Sequence, residues 1–267
     1  MSFWTKYTNI IKSNKSYVCL GLDSELSKLP SHLLDQEDPI FAFNKAIIDQ
    51  TKDIVACYKP NFAFYLSQGL KSLSSLQKTI SYIPDHIPVI LDIKAGDIGN
   101  TMANYAKAFF TDWGVDAITA NPLMGNDVMK AIEPFQENFA FLLTLTSNPS
   151  AKDYLKVNEL YKNISENINN LPNKQFGAVV GATNSQELRE LRKLMPESLF
   201  LIPGIGAQGG SLRDVVSSTC YSKDDARFVI NSSRGIIFAD SSESFAQVAR
   251  EKAESLRDQI NKLIADL

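Results

Sequence analysis

The stretch Ile90-Leu91-Asp92-Ile93-Lys94-Ala95-Gly96-Asp97-Ile98-Gly99-Asn100-Thr101 runs from an apolar segment into two carboxylates that bracket one lysine. Val89, Ile90 and Leu91 read as a buried strand. The two-residue strand period predicts Asp92 and Lys94 on one face, at the end of the element where ligand sites of α/β folds lie. Beyond Asp97, the residues Ile98, Met102, Tyr105 and Phe109 recur at roughly helical spacing, so the motif spans a strand-to-helix junction. A salt-bridged, solvated loop is the plain alternative for an Asp-x-Lys-x-x-Asp taken alone.

The same unit recurs along the chain. Strands are predicted at Val18 to Leu22, Ile54 to Lys59, Pro88 to Ile93, Ala117 to Ala120, Phe139 to Leu145, Phe176 to Val180, Leu199 to Ile202 and Phe228 to Ile230. Helices are predicted at Phe41 to Asp49, Leu66 to Ser81, Ile98 to Trp113, Asp127 to Phe135, Glu187 to Leu194 and Phe245 to Ile264. In the last of these, Phe245, Val248, Leu256, Ile260 and Leu263 fall largely on one face. Eight alternating units match a single (β/α)₈ TIM barrel over residues 1–267, with no room for a second domain. A doubly wound open sheet is the structural alternative.

Composition narrows the function. The chain has 267 residues, is 44% hydrophobic and carries a formal net charge of -3. No basic stripe points to nucleic acid, and no apolar run is long enough to cross a membrane. The start, Met1-Ser2-Phe3-Trp4-Thr5-Lys6, lacks the pattern of a signal peptide, and the expected location is cytoplasmic. Cys19, Cys57 and Cys220 show no metal-ligand spacing and read as reduced core thiols. His32 and His86 lie far from other ligand types, so no metal site is expected.

In a barrel the reactive groups gather at the C-terminal ends of the strands, and polar residues stand there repeatedly. Asp23 follows the first strand, Lys59 and Asn61 end the second, Asn121 follows the fourth, and Thr146 and Ser147 follow the fifth. The seventh ends in Pro203-Gly204-Ile205-Gly206-Ala207-Gln208-Gly209-Gly210 and the eighth in Asn231-Ser232-Ser233-Arg234-Gly235. Backbone amides, the Gln208 amide and the Arg234 guanidinium would make a phosphate cradle. Gly204, Gly206 and Gly209 also satisfy a dinucleotide fingerprint. That fingerprint wants an acid at the end of the following strand, whereas Asp224 and Asp225 precede it.

Asp92-x-Lys94-x-x-Asp97-Ile98-x-x-Thr101, together with Pro203-Gly204-Ile205-Gly206 and Arg234-Gly235, resembles the orotidine 5'-monophosphate decarboxylase family over almost the whole chain. Tyr58-Lys59-Pro60-Asn61 and Thr146-Ser147-Asn148-Pro149 resemble the branch found in many bacteria and in malaria parasites. The resemblance implies a homodimer acting on a nucleoside monophosphate without metal or organic cofactor. It implies that Lys94 donates a proton to C6, flanked by Asp92 and Asp97. Asp23 and Lys59 would contact the ribose, with Asn61 beside the charged cluster. Asp97 and Thr101 would reach into the neighbouring subunit's site. Pro203, Gln208, Arg234 and Gly235 would serve phosphate binding, and Ser147 or Thr146 would read the pyrimidine edge. Other branches carry a Ser-Ser-Lys-Gly-like sequence after the fifth strand and a longer phosphate loop with a tyrosine, both absent here.

Two rival readings follow from the same residues. Mg²⁺-dependent sugar-phosphate lyases or synthases share the Asp-x-Lys-x-x-Asp signature, but Lys59 stands where an acidic metal ligand is expected. A catalytically inactive nucleotide-binding barrel is the other, and the presence of Asp92, Lys94 and Asp97 together argues against it.

Overall fold

In a computed structural model of the chain, which describes residues 1–171, 174–205, 209–222 and 226–267, eight strands form one parallel sheet. They are β1 (Val18–Gly21), β2 (Cys57–Lys59), β3 (Ile90–Ala95), β4 (Ala117–Ala120), β5 (Phe139–Leu145), β6 (Phe176–Val180), β7 (Phe200–Pro203) and β8 (Phe228–Ser232). The hydrogen-bonded order is β2-β1-β8-β7-β6-β5-β4-β3, so sequence neighbours are spatial neighbours throughout and β8 returns to β1. An open doubly wound sheet would reverse direction at a switch point, and this order does not. The ring closes between β2 and β3 through isolated bridges, Tyr58 to Val89 and Asn61 to Asp92. Their bonds run from Tyr58 N–H to Pro88 O, 3.0 Å, and from Asp92 N–H to Pro60 O, 2.9 Å.

Strand alternation sorts the core into two layers. Val18, Leu20, Leu91, Ile118 and Leu142 face outward and pack with buried residues of the surrounding helices. Cys19, Cys57, Ile90, Ala117, Phe139 and Phe141 face inward and fill the barrel. The N-terminal end of the barrel is plugged by a helix, Phe3–Asn14, whose Phe3 ring stacks on Phe139 at 4.6 Å. Its Lys6 pairs with the mostly buried Asp116 at 2.6 Å, and its Trp4 indole donates to the Lys174 carbonyl. Sequence reading assigned no structure to this segment, although Phe3, Tyr7 and Ile10 recur at helical spacing and are all buried.

Two predicted helices are divided. Leu66 to Ser81 becomes Phe62–Leu66 and Leu70–Tyr82, broken at Gly69, whose φ of +89° no helix accommodates. Ile98 to Trp113 becomes the α-helix Gly99–Lys107 followed by a π-turn over Ala108–Asp112. The helices Leu160–Asn170 and Arg234–Ile237 complete the ring with no counterpart among the predicted elements, and Leu212–Thr219 is the helix expected after the glycine-rich turn. The terminal helix, Phe245–Ala265, lies as expected.

Candidate active site

At the mouth of the barrel one carboxylate holds two ammonium groups. Asp92 Oδ2 accepts from Lys59 Nζ at 3.0 Å, and Asp92 Oδ1 accepts from Lys94 Nζ at 2.6 Å. Asn61 Nδ2 adds a long contact to Oδ2 at 3.4 Å, and Thr119 Oγ1 donates to Oδ1 at 2.8 Å. Burial alone pushes the Asp92 carboxyl upward, but the adjacent Lys59 and Lys94 charges outweigh it and hold it well below the usual carboxylate range. Burial likewise pulls Lys59 down, while Asp92 and Asp23 lift it above an ordinary lysine. Asp92 and Lys59 are therefore charged at neutral pH. The two lysines differ in access: the Lys59 side chain is 4% exposed and that of Lys94 is 47% exposed.

Lys94 reaches Asp92 by a route other than strand alternation. Its φ is +54°, in the left-handed region, and the β3–β4 register slips between Leu91 and Ala95. Leu91 pairs with Ile118 and Ala95 with Ala120, so Asp92, Ile93 and Lys94 together stand against Thr119. This bulge turns the lysine toward the carboxylate two residues before it.

Asp23 lies beside the pair, buried, with no hydrogen-bond partner for its Oδ1 among the described residues. A network outside the barrel fixes the segment that carries it. Asn44 Nδ2 donates to Tyr65 OH and Thr79 Oγ1, its Oδ1 accepts from Ser24, and Tyr65 OH donates to the Leu22 carbonyl at 2.7 Å. An orphaned carboxylate oxygen held this firmly at a site mouth is suited to accept from a hydroxyl-bearing ligand.

Thr146 and Ser147 are half-buried where β5 ends. Their carbonyls accept from Asn184 Nδ2 at 3.2 Å and Thr183 Oγ1 at 3.3 Å. A Cβ on Gly181 would stand 2.6 Å from the Ser147 backbone, so only glycine allows this approach. Sequence reading missed Thr119, Gly181, Thr183 and Asn184. A hydroxyl inside an apolar strand gives no signal of its own, and the others look like ordinary loop residues.

Across the mouth, one pocket is lined by Asp23, Pro203, Gly204, Ser233, Arg234 and Gly235. Arg234 is exposed and opens the short helix Arg234–Ile237. The ends of the glycine turn meet, with Gly210 N–H donating to Gly204 O at 3.1 Å. Gln208 lies outside the described residues. Asp97 and Thr101 sit apart from the charged pair. Asp97 Oδ1 accepts from the next residue's N–H, at Ile98, and Thr101 is exposed on the helix Gly99–Lys107. The structure thus gathers Asp92, Lys94, Lys59 and Asn61, with Asp23 adjacent, and does not bring Asp97 into an ion pair with Lys94 within the chain. No group of three or more His, Cys, Asp or Glu residues converges as a metal site among the described residues.

A family model described as "Orotidine 5'-phosphate decarboxylase / HUMPS family" matches residues 16–248. The chain belongs to that family. The matched span contains every candidate site residue from Asp23 to Gly235, whereas the plugging helix lies before it. Within the family the chain is 45% identical, over 263 residues and 95% of each chain, to the orotidine 5'-phosphate decarboxylase of Flavobacterium johnsoniae. Among solved structures, an OMP decarboxylase of Leishmania donovani superposes with a TM-score of 0.84 at 30% identity, covering 99% of both chains. The UMP synthase of Leishmania donovani superposes with a TM-score of 0.86 at 33% identity, covering 99% of this chain and 56% of that longer one.

Proposed function

We infer that the chain is a carboxy-lyase that converts orotidine 5'-monophosphate to uridine 5'-monophosphate and carbon dioxide, with Lys94 as its electrostatic stabiliser and proton donor. One observation supports the mechanism: Asp92 pairs with two cations at the mouth, and of the two the Lys94 side chain is by far the more exposed. Breaking the bond between C6 and the carboxylate leaves an electron pair on a vinylic carbon with no adjacent carbonyl or imine to receive it. A cation already in place stabilises that charge without reorganising. The Lys94 ammonium then passes a proton to C6, and its neutral amine regains one from solvent. Asp92 aims the Lys94 ammonium before the reaction, through a contact of 2.6 Å.

The remaining contacts follow from placement. Arg234, Gly235, Gly204 and Pro203 would hold the phosphate, and Gln208 is proposed with them from sequence. Asp23 and Lys59 would take the ribose hydroxyls, and Ser147 or Thr146 the pyrimidine edge. Binding energy at the phosphate, remote from C6, is available to organise the reacting centre.

We further propose a homodimer with shared sites. Ile98, just before the helix after β3, Tyr105 within it, and Leu123 and Met124 after β4 stay exposed, while Met102, Phe109 and Phe110 of the same region are buried in the chain's own core. Asp97 and Thr101 would complete the partner's site. No helix among the described residues is long and apolar enough to cross a membrane, and the buried thiols of Cys19 and Cys57 suit a reducing compartment, so a cytoplasmic location is proposed. The metal-dependent synthase reading fits the site poorly, because both oxygens of Asp92 already serve ammonium groups.

The test is an assay of orotidine monophosphate absorbance in excess EDTA. Full activity is expected from the parent, with Lys94→Ala losing kcat while still binding uridine monophosphate. Activity abolished by EDTA and restored by Mg²⁺ would establish the synthase-type reading instead. Undiminished kcat in Lys94→Ala would remove the lysine from the chemistry.

A further inference from the structure

Thr119 sits in the middle of β4, buried, on the inward face it shares with Ala117. Its hydroxyl has one proton and two lone pairs to offer. The amides of Ile93 and Lys94 both donate to it, at 3.1 and 2.9 Å, and so occupy the lone pairs. The proton is left one acceptor, Asp92 Oδ1, at 2.8 Å. Every valence of the group is used, and each partner belongs to the site that carries the reaction.

Those two amides are the ones that the β3 bulge removes from the sheet ladder, where Asp92 to Lys94 stand against a single residue of β4. Without an acceptor they would be partly buried donors with none, in a segment that also contains a non-glycine residue at φ +54°. The Thr119 side chain supplies what the backbone of β4 cannot. The same oxygen atom that stabilises the left-handed turn of Lys94 also orients the carboxylate to which the Lys94 ammonium is tied.

We propose that Thr119 is a positioning residue for the proton donor: its hydroxyl fixes the Lys94 backbone turn and the Asp92 Oδ1 lone pair together, and so sets where the ammonium stands before decarboxylation. The proposal rests on Lys94 being the donor. Its signature is a loss in kcat with ligand binding retained, because phosphate and ribose contacts lie on other strands.

The experiment compares Thr119→Val, Thr119→Ala and Thr119→Ser with the parent. Four quantities are read: kcat, KM, affinity for uridine monophosphate, and melting temperature. Valine keeps the shape and removes the hydroxyl, alanine leaves room for a water, and serine keeps the oxygen. Valine and alanine are expected to lower kcat roughly ten- to hundredfold, the range a hydrogen bond to a charged group supports, with product affinity within about threefold of the parent. Serine is expected to restore kcat to within about threefold. If valine fails to fold, the alanine and serine pair gives the same reading. Equal losses of kcat and product affinity would mark a purely structural role, and a serine variant as slow as alanine would assign the effect to the methyl group. A folded alanine variant with parental kcat would also overturn the proposal. Lys94→Ala, measured alongside, separates the two claims: parental kcat there refutes the donor assignment itself, whatever Thr119 does.

Discussion

Replacing Asp92 with asparagine keeps the side chain's shape and removes the one charge on which two ammonium groups depend. The two lysines lose unequally. Lys59 is 4% exposed and 3.0 Å from Oδ2, so its charge is left buried, a change that costs roughly 3–5 kcal/mol. Lys94 is 47% exposed, and water compensates it so well that its share is at most about 1 kcal/mol. Asp23 still acts on Lys59, which places the total in the lower half of the range, about 3–4 kcal/mol. For a chain of this size that corresponds to a fall in Tm of roughly 6–16 °C.

The pH dependence has a definite sign on each side. Asp92 titrates below the usual carboxylate range when folded, so its contribution is complete above about pH 4 and is lost as pH falls through its folded value. Lys59 titrates above an ordinary lysine, so its contribution is complete below about pH 10.4 and is lost as pH rises through its folded value. Between those limits the parent's ion pair is insensitive to pH. In Asp92→Asn the stranded Lys59 favours its neutral form, and the deficit shrinks as pH rises toward about 10. Thermal melts followed by circular dichroism from pH 5 to 10 measure this. The double variant Lys59→Met with Asp92→Asn should recover at least about 1 kcal/mol of the single loss. A single variant melting within about 2 °C of the parent at every pH, or a double variant whose losses simply add, would refute the account of Asp92 as the counter-charge of a buried lysine.

Arg234→Ala should weaken uridine monophosphate binding by about 2 kcal/mol, or roughly thirtyfold, the low end for a lost charge partner because the guanidinium is exposed before ligand arrives; unchanged titration by calorimetry would remove it from the phosphate site. Mixing inactive Lys94→Ala and Asp97→Ala proteins under subunit exchange should restore about a quarter of all sites, since about half the dimers are mixed and each holds one intact site. Exchange confirmed by mass spectrometry with no return of activity would place both residues in one subunit's site.

The barrel was readable because a parallel sheet leaves a simple trace: short apolar runs separated by amphipathic ones, each run ending in a polar residue. Asp23, Lys59, Asn61 and Asp92 could be placed that way, since strand ends fix their height and face. The turn at Lys94 could not. Alternation predicted the right neighbour for the wrong reason, because a left-handed residue in a register slip leaves no mark in residue order. Thr119 was hidden for a related reason: its importance lies in which amides the bulge releases, a property of β3 and not of β4. Gly69 was visible as a residue but not as a break, since an isolated glycine within a helical pattern is often tolerated.

The helix that plugs the barrel raises a matter of timing. Phe3–Asn14 is synthesised before every strand it seals, yet its Tyr7 hydroxyl lies 3.4 Å from the carbonyl of Phe228, 221 residues further along. Phe3 and Tyr7 are almost wholly buried in the finished molecule, and the inner rings they cover, Phe139 and Phe141, arrive midway through synthesis. The floor of the barrel therefore cannot be completed until β8 leaves the ribosome. Until then the nascent chain carries an exposed aromatic segment, the kind of surface that chaperones bind and that aggregates when translation stalls.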